Sequence, residues 1–410
     1  MKYESIRKFA KQYAELAHSP GQEKKRLLWK NLNSLHFTRP AIYIRKIPYW
    51  EFFDYSVIKS EDPLLRGIEE MLATSVLYRQ KLDDDFIFEP WVTVRACFNA
   101  DENNRWGVPC TLGEKVTPFG AAAYQPLVKN EEDFVNIIPP KYVIDEKATA
   151  EKLEKVREAL DGILDVVCSR VGIYCTDWNR DISTDLAKLR GLEQIMWDVY
   201  DRPQWLHRFV TLMRDTILDD IDKTEKAGNY RIFNGENQAM PYCDELANPS
   251  PADNICKTSD IWVFMASQEF TGIGPELYNE FMLQYQKPIM ERFGLSAYGC
   301  CEDMTAKIPL LKKIKNLRRI AITPFSDVRK CAEQIGADYV ASYRPKPTDM
   351  IANGLDEDLV KKNIRRDFKI LKENNVPFDI TLKDVETIAS KPENMIRWVE
   401  IVRKTGDDLW

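Results

Sequence analysis

From residue 261 onward the chain repeats one unit five times, a short β-rich apolar run followed by a helical stretch. The runs are IWVFMAS, SAYGC, RRIAIT, DYVASY and FDITL. A helical crossover carries the chain back to the end of the sheet it left, so strands joined in this way pair in parallel. Three earlier runs, AIYIRK (41–46), WVTVRACF (91–98) and VGIYCT (171–176), bring the total to eight, the number that closes a (β/α)8 barrel. The expected fold is therefore α/β, a (β/α)8 TIM barrel with an N-terminal helical cap and loop insertions over the barrel mouth.

The remaining segments fit around that barrel. Residues 1–38 read as a cap of two amphipathic helices broken at Ser19-Pro20-Gly21, and residues 39–410 as a single barrel. Helical spacing covers 63–82, 148–166 through Leu153, Val156, Leu160 and Leu164, and a long region at 186–227. The stretches at about 99–147 and 229–258 are rich in Pro, Asn and Gly and read as insertions at the mouth, where barrel enzymes place their substrate loops.

Charge and apolar patterning exclude several partners. The 58 basic and 64 acidic side chains leave a net charge of −6 with no basic block that could track a phosphate backbone, so nucleic acid is not an expected partner. The longest apolar runs, such as Ile261 to Ala266, fall far short of a bilayer span, so no membrane association is expected. The first residues, MKYESIRKFAKQYAEL, lack the apolar core of a secretory signal, which points to the cytoplasm. Nine scattered cysteines, two of them adjacent at Cys300 and Cys301, suit reduced thiols better than a disulfide framework. No glycine-rich phosphate-binding run is present.

Four stretches carry a family resemblance. FTGIGPELYNEFMLQYQKPIMERFG (270–294), RPAIYIRKIPYW (39–50), DRPQWLHRFVTLMRDTILDDIDKTEKAG (201–228) and SKPENMIRWVEIVRK (390–404) resemble, in order and spacing, segments of the uroporphyrinogen decarboxylase superfamily. Arg45 keeps the first arginine of the decarboxylase branch, whereas Tyr49, Phe98-Asn99-Ala100 and Leu382-Lys383-Asp384 replace its other groups. The chain is more similar to a second branch, whose members exchange a methyl group between a small substrate and a corrinoid protein at a zinc held by strand ends. The fifth strand of that branch ends in His-x-Cys-Gly. Here it reads Tyr298-Gly299-Cys300-Cys301-Glu302, so Cys300 matches the cysteine and Tyr298 stands in the histidine's place.

The resemblance implies a zinc-dependent methyltransferase that moves a methyl group from a small methylated, methoxylated substrate to a corrinoid carried by a partner protein. The three histidines, His18, His36 and His207, lie on cap or helical segments, so zinc would need thiolate and carboxylate ligands. Cys300 and Cys301 are the expected thiolates. Glu269 is preferred over Glu302 as the carboxylate because it ends the neighbouring strand. Tyr298, Lys383 and Asp384 are the catalytic candidates, the last two as proton donor and acceptor after strand eight. Arg45, Trp178 and Tyr343 are the substrate-binding candidates: Arg45 for a carboxylate, Trp178 as an aromatic wall. Tyr242, Cys243 and Asp244 are further candidates for the pocket lining.

Each of these residues also has a plain structural reading. A cysteine pair can be core packing, Arg45 can close a loop salt bridge, and Asp384 can cap a helix, as Asp327 is expected to do for a helix at Val328. Two other functions compete: a metal-independent decarboxylase of a smaller acid, and a non-catalytic barrel that binds a corrinoid protein. A homodimer is left open.

Overall fold

The parallel pairing expected of the repeated units is present. The computed structural model describes residues 3–114, 122–352 and 354–409, and among these it contains ten strands. They are β1 (Ala41–Ile44), β2 (Trp91–Arg95), β3 (Thr111–Leu112), β4 (Tyr124–Gln125), β5 (Asp165–Ser169), β6 (Trp262–Met265), β7 (Leu295–Tyr298), β8 (Leu317–Ile322), β9 (Val340–Tyr343) and β10 (Phe378–Leu382). Six form one parallel sheet in the order β1-β10-β9-β8-β7-β6, β2 and β5 pair with each other in parallel, and β3 and β4 make a small antiparallel hairpin.

The expected closed eight-strand barrel is thus corrected to a TIM-like α/β fold whose curled six-strand sheet does not close. No ladder joins β1 to β2 or β5 to β6. At the first gap, carboxylates take the place of a strand: the amides of Ile42 and Ile44 donate to Asp85 Oδ2 at 2.8 Å and Asp84 Oδ2 at 2.9 Å. At the second, the chain around residue 235 lies against β6, with Glu236 N donating to the Trp262 carbonyl at 3.2 Å.

Helix stops account for two further corrections. The third strand is β5, and 171–176 is a buried turn. Asp161 (φ 54) and Gly162 (φ 71) adopt left-handed backbone and end the helix at Leu160, which frees Asp165–Ser169 to extend. The long region at 186–227 is three helices, Ser183–Arg190, Leu192–Asp201 and Pro203–Lys226, separated at Gly191 (φ 87) and before Pro203.

The N-terminal helices sit on the lower part of the fold. Glu4–Ala17 packs against Pro63–Leu77 and Glu146–Leu160 through Ile6, Phe9, Leu72 and Val156. Pro20–Asn33 brings Trp29 beside Ala41 and Val340, at the first residues of β1 and β9. The insertion at 229–258 is drawn to that end. Tyr242 bonds Glu89 at 2.5 Å and Arg26 at 3.1 Å, and Asp244 pairs with Lys30 at 3.0 Å. Tyr242, Cys243 and Asp244 therefore do not line the mouth, because the basic residues that complement them stand on the cap. Of the other insertion, residues 115–121 lie outside the described residues. Among the described residues no helix is long and apolar enough to cross a membrane.

Candidate active site at the barrel mouth

Side-chain parity decides which strand-end residues enter the barrel, since alternate residues of a strand share a face. On β1, Ala41 and Tyr43 pack inward near Trp29, while Ile42 and Ile44 join the core under the helices, so Arg45 continues the inward series. On β10, Phe378, Ile380 and Leu382 face the helices; Asp379 and Thr381 face the interior, where Asp379 meets Arg319 of β8 and Ser342 of β9. Lys383 follows on that inner face. On β9, Tyr343 packs outward and Ser342 inward, which sends Arg344 inward as well.

Strand β7 breaks the rule. Tyr298 and Cys300 are expected on one face, but the strand ends at Tyr298 and Gly299 adopts φ 103. A β-carbon there would meet Ala321 Cβ at 2.9 Å, so the position requires glycine on both counts. The reversal leaves Tyr298 in the helix-facing core and turns Cys300 inward against Phe264, Ala266 and Ala297. Glu302 is fully buried rather than solvent-facing, and it pins this turn by accepting from Ser267 N at 3.0 Å and Cys300 N at 2.8 Å.

Cys300 and Lys383, 83 residues apart, meet across the mouth. Lys383 Nζ lies 2.7 Å from Cys300 Sγ and 3.7 Å from Cys301 Sγ, and the two sulfurs are 3.4 Å apart. Asp384 Oδ2 stands 3.3 Å from Cys301 Sγ and 3.4 Å from Lys383 Nζ. No helix begins at Asp384; its backbone is left-handed (φ 57) and its carboxylate faces the sulfurs and solvent. All nine cysteines are free thiols. The hydrogen bond from the Cys301 thiol lowers the Cys300 thiol to about 7, aided by the positive charges of Lys383 and Arg344 and opposed by burial. The same shared proton, with burial, pushes Cys301 up. Cys300 is thus the thiolate of the pair.

Three other candidates lie elsewhere on the fold. The Tyr298 hydroxyl is enclosed by Ser267, Tyr278 and Gln286 at 2.9, 2.7 and 2.6 Å, which makes it a bolt between sheet and helices. Tyr343 donates to Asp367 at 2.6 Å and lines a cavity of about 290 Å³ facing the helix Glu357–Glu373, away from the sulfurs. Glu269 accepts from Ser183 at 2.7 Å and Thr184 at 3.3 Å and bonds neither cysteine. Trp178 does join the cysteines, packing beside them with its ring edge-on to Phe264 at 5.2 Å. Arg45 reaches Glu236 at 3.7 Å. Asp327 caps the helix at Val328 by accepting from Lys330 N.

This donor set does not fit a tetrahedral zinc. Among the described residues no group of three His, Cys, Asp or Glu side chains is placed to hold a metal ion, Glu269 is held by hydroxyls, and the Lys383 ammonium sits 2.7 Å from the Cys300 sulfur.

Sequence reasoning passed over three residues. Arg344 Nη1 donates to the Cys300 carbonyl at 2.5 Å and fixes the sulfur's loop. Gln238, in left-handed backbone (φ 62), accepts from Arg344 at 3.4 Å. Asp181 is held far above the usual carboxylate range by burial and by the charge of Glu269. It precedes Ile182 at φ 65, a strained turn closed by Ser183 N donating to the Asp181 carbonyl at 2.7 Å. For Arg344 the signal was its parity with Ser342; a lone Gln and Asp in loops offered none.

No family model and no curated protein matches the chain. Among solved structures, the fold is similar to that of a methyltransferase from Methanosarcina mazei, with a TM-score of 0.50 and 11% identity, covering 94% of this chain and 98% of that one.

Proposed function

We propose that the chain is a methyltransferase, taking a methyl group from a small methoxylated compound at the barrel mouth and passing it to a corrinoid carried by a separate protein. The observation that carries this reading is the Cys300–Lys383 ion pair at the C-terminal strand ends, where barrel enzymes hold their chemistry. The likeness to a methyltransferase fold supports it. The corrinoid, brought by its protein, supplies the nucleophile that accepts the methyl group.

This chain's residues handle the oxygen left behind. When the methyl carbon departs, the C–O bond's electron pair stays on oxygen, and the Lys383 ammonium donates a proton to it. The Cys300 thiolate, 2.7 Å away, keeps that ammonium aimed between turnovers. Asp384, 3.4 Å from Nζ and half exposed, links the amine to solvent for its reprotonation. Trp178 offers a flat wall beside the sulfurs. These steps call on no metal, and Glu269, the carboxylate expected to complete a zinc site, is held by Ser183 and Thr184.

The test supplies a methoxylated benzoate and a reduced corrinoid protein and follows the methyl-cobalt absorbance. Wild-type protein should methylate the corrinoid, and Lys383→Met and Cys300→Ala should each slow this by about 10²-fold or more. Carbon dioxide release from uroporphyrinogen, without methyl transfer, would move the chain to the decarboxylases. Stoichiometric zinc that departs with Cys300→Ala would restore the metal-dependent route.

A further inference from the structure

Among the buried arginines, Arg79, Arg190, Arg231 and Arg319 are each at most 7% exposed, and each forms an ion pair with an aspartate: Asp84, Asp198, Asp253 and Asp379. That is the rule for a guanidinium removed from water. Arg344, 3% exposed, breaks it. Its hydrogen-bond partners are neutral, the Cys300 carbonyl and the Gln238 side-chain oxygen; its Nε has no acceptor, as is also true of Arg79 and Arg319.

The neighbours repeat the pattern. Gln238, 5% exposed, leaves its Nε2 without a partner, and Arg45 leaves its Nη1 without one. Arg45 adds a like charge: burial first, and then the Arg45 guanidinium, push Arg344 toward its neutral form, against the opposing charges of Cys300, Asp379 and Glu302. Two cations and an amide donor therefore border one region at the ends of β1 and β9, with Glu236 at 3.7 Å from Arg45. Unmade donors in a buried site are costly unless something arrives to accept from them.

We propose that Arg344, Gln238 and Arg45 form the seat for a carboxylate on the substrate. The inference rests on the methyltransferase reading for the word substrate, and it narrows the methylated compound to a monoanionic acid. A carboxylate has two oxygens and enough lone pairs for the three unmade donors, and guanidinium groups bind it in a fixed plane. Because Arg344 also holds the Cys300 carbonyl, the acid end is tied to the frame that positions the thiolate. Binding of the acid and alignment of its methoxy end toward Lys383 become one event.

Calorimetric titration of the full chain tests this with acetate, benzoate, 3-methoxybenzoate, the neutral 3-methoxybenzamide and inorganic phosphate. At least one carboxylate should bind, with 3-methoxybenzoate at least about tenfold tighter than its amide. Arg344→Gln and Arg45→Gln should each weaken the acid by about tenfold or more and erase its advantage over the amide. Gln238→Glu, a smaller change in the fold, should do the same by filling the place of the anion; its circular dichroism and melting curve report whether it is folded. No carboxylate binding at millimolar concentration, equal affinity for acid and amide, unchanged affinity in the variants, or tighter binding of phosphate would overturn the proposal. Carboxylate binding without methyl transfer removes the enzymatic reading and leaves this seat standing. Methyl transfer from the amide as fast as from the acid does the reverse.

Discussion

Replacing Lys383 by Met removes the ammonium 2.7 Å from the Cys300 sulfur while keeping a side chain of similar length. In the native protein the Cys300 thiol is lowered from an ordinary 9.0 to about 7, which makes it about a hundredfold more acidic. The Cys301 hydrogen bond is the larger cause, and the ammonium adds to it. An opposite charge this close shifts an acid by about 1 to 3 in pH. Taking the low end, Lys383→Met moves the midpoint up by about 1, and near neutral pH the thiolate falls from about half of the molecules to about a tenth. The assay is ultraviolet absorbance of the thiolate across a pH titration, with Cys300→Ser as the blank. Stability follows with a definite sign. A lowered acid stabilises the fold fully above its unfolded value, and that contribution fades as pH falls through the folded value, here about 7. The wild type's advantage over Lys383→Met in urea unfolding should therefore widen as pH rises above about 7, by about 1.4 kcal/mol per pH until the variant's own thiol ionises. Equal midpoints in both proteins would refute the ion pair as a contributor to the thiolate, and a wild-type midpoint near 9 would refute the thiolate itself.

Gly299→Ala places a β-carbon 2.9 Å from Ala321 Cβ in backbone at φ 103, so it should cost about 1 to 3 kcal/mol; an unchanged melting temperature would contradict the required turn. Asp198→Ala strands the buried Arg190, whose Nε lies 2.6 Å from Asp198, and should lower unfolding stability by about 3 to 5 kcal/mol in urea titration. Burial, and then the charge of Glu269, raise Asp181 well above the usual carboxylate range, so the wild type forfeits stability as pH rises from that range toward the raised value; Asp181→Asn has no such loss. Melting curves should show the two proteins alike in acid and the Asn variant equal or better at neutral pH. A variant less stable at every pH would mean that Asp181 is charged.

What the chain disclosed in advance is tied to repetition. The repeated units placed β6 through β10 because each couples a β-rich run to a crossover helix. At the ends of β1 and β10, Arg45 and Lys383 were legible as inward residues because Ala41, Tyr43, Asp379 and Thr381 set the parity before them. The same rule applied to Tyr343 and Arg344 selects the arginine, but an aromatic residue at a strand end drew the eye first. Tyr298 could not be placed by parity because Gly299 spends its conformational freedom reversing the chain one residue later. The helix stop at Asp161-Gly162 was hidden by the apolar spacing of Leu160 and Leu164, which continued a helical period through it. Loop groups such as Gln238 and Asp181 depend on contacts across 106 and 105 residues, with Arg344 and Gln286 respectively, and no local pattern announces those.

A barrel girdled all round by amide ladders has its girth fixed by strand number and stagger, and no single side chain can alter it. Here the outer edge of β1 is buckled by Asp84 and Asp85 instead. A buckle, unlike a hoop, answers to one codon: replacing either acid leaves an amide of β1, that of Ile44 or that of Ile42, without its acceptor.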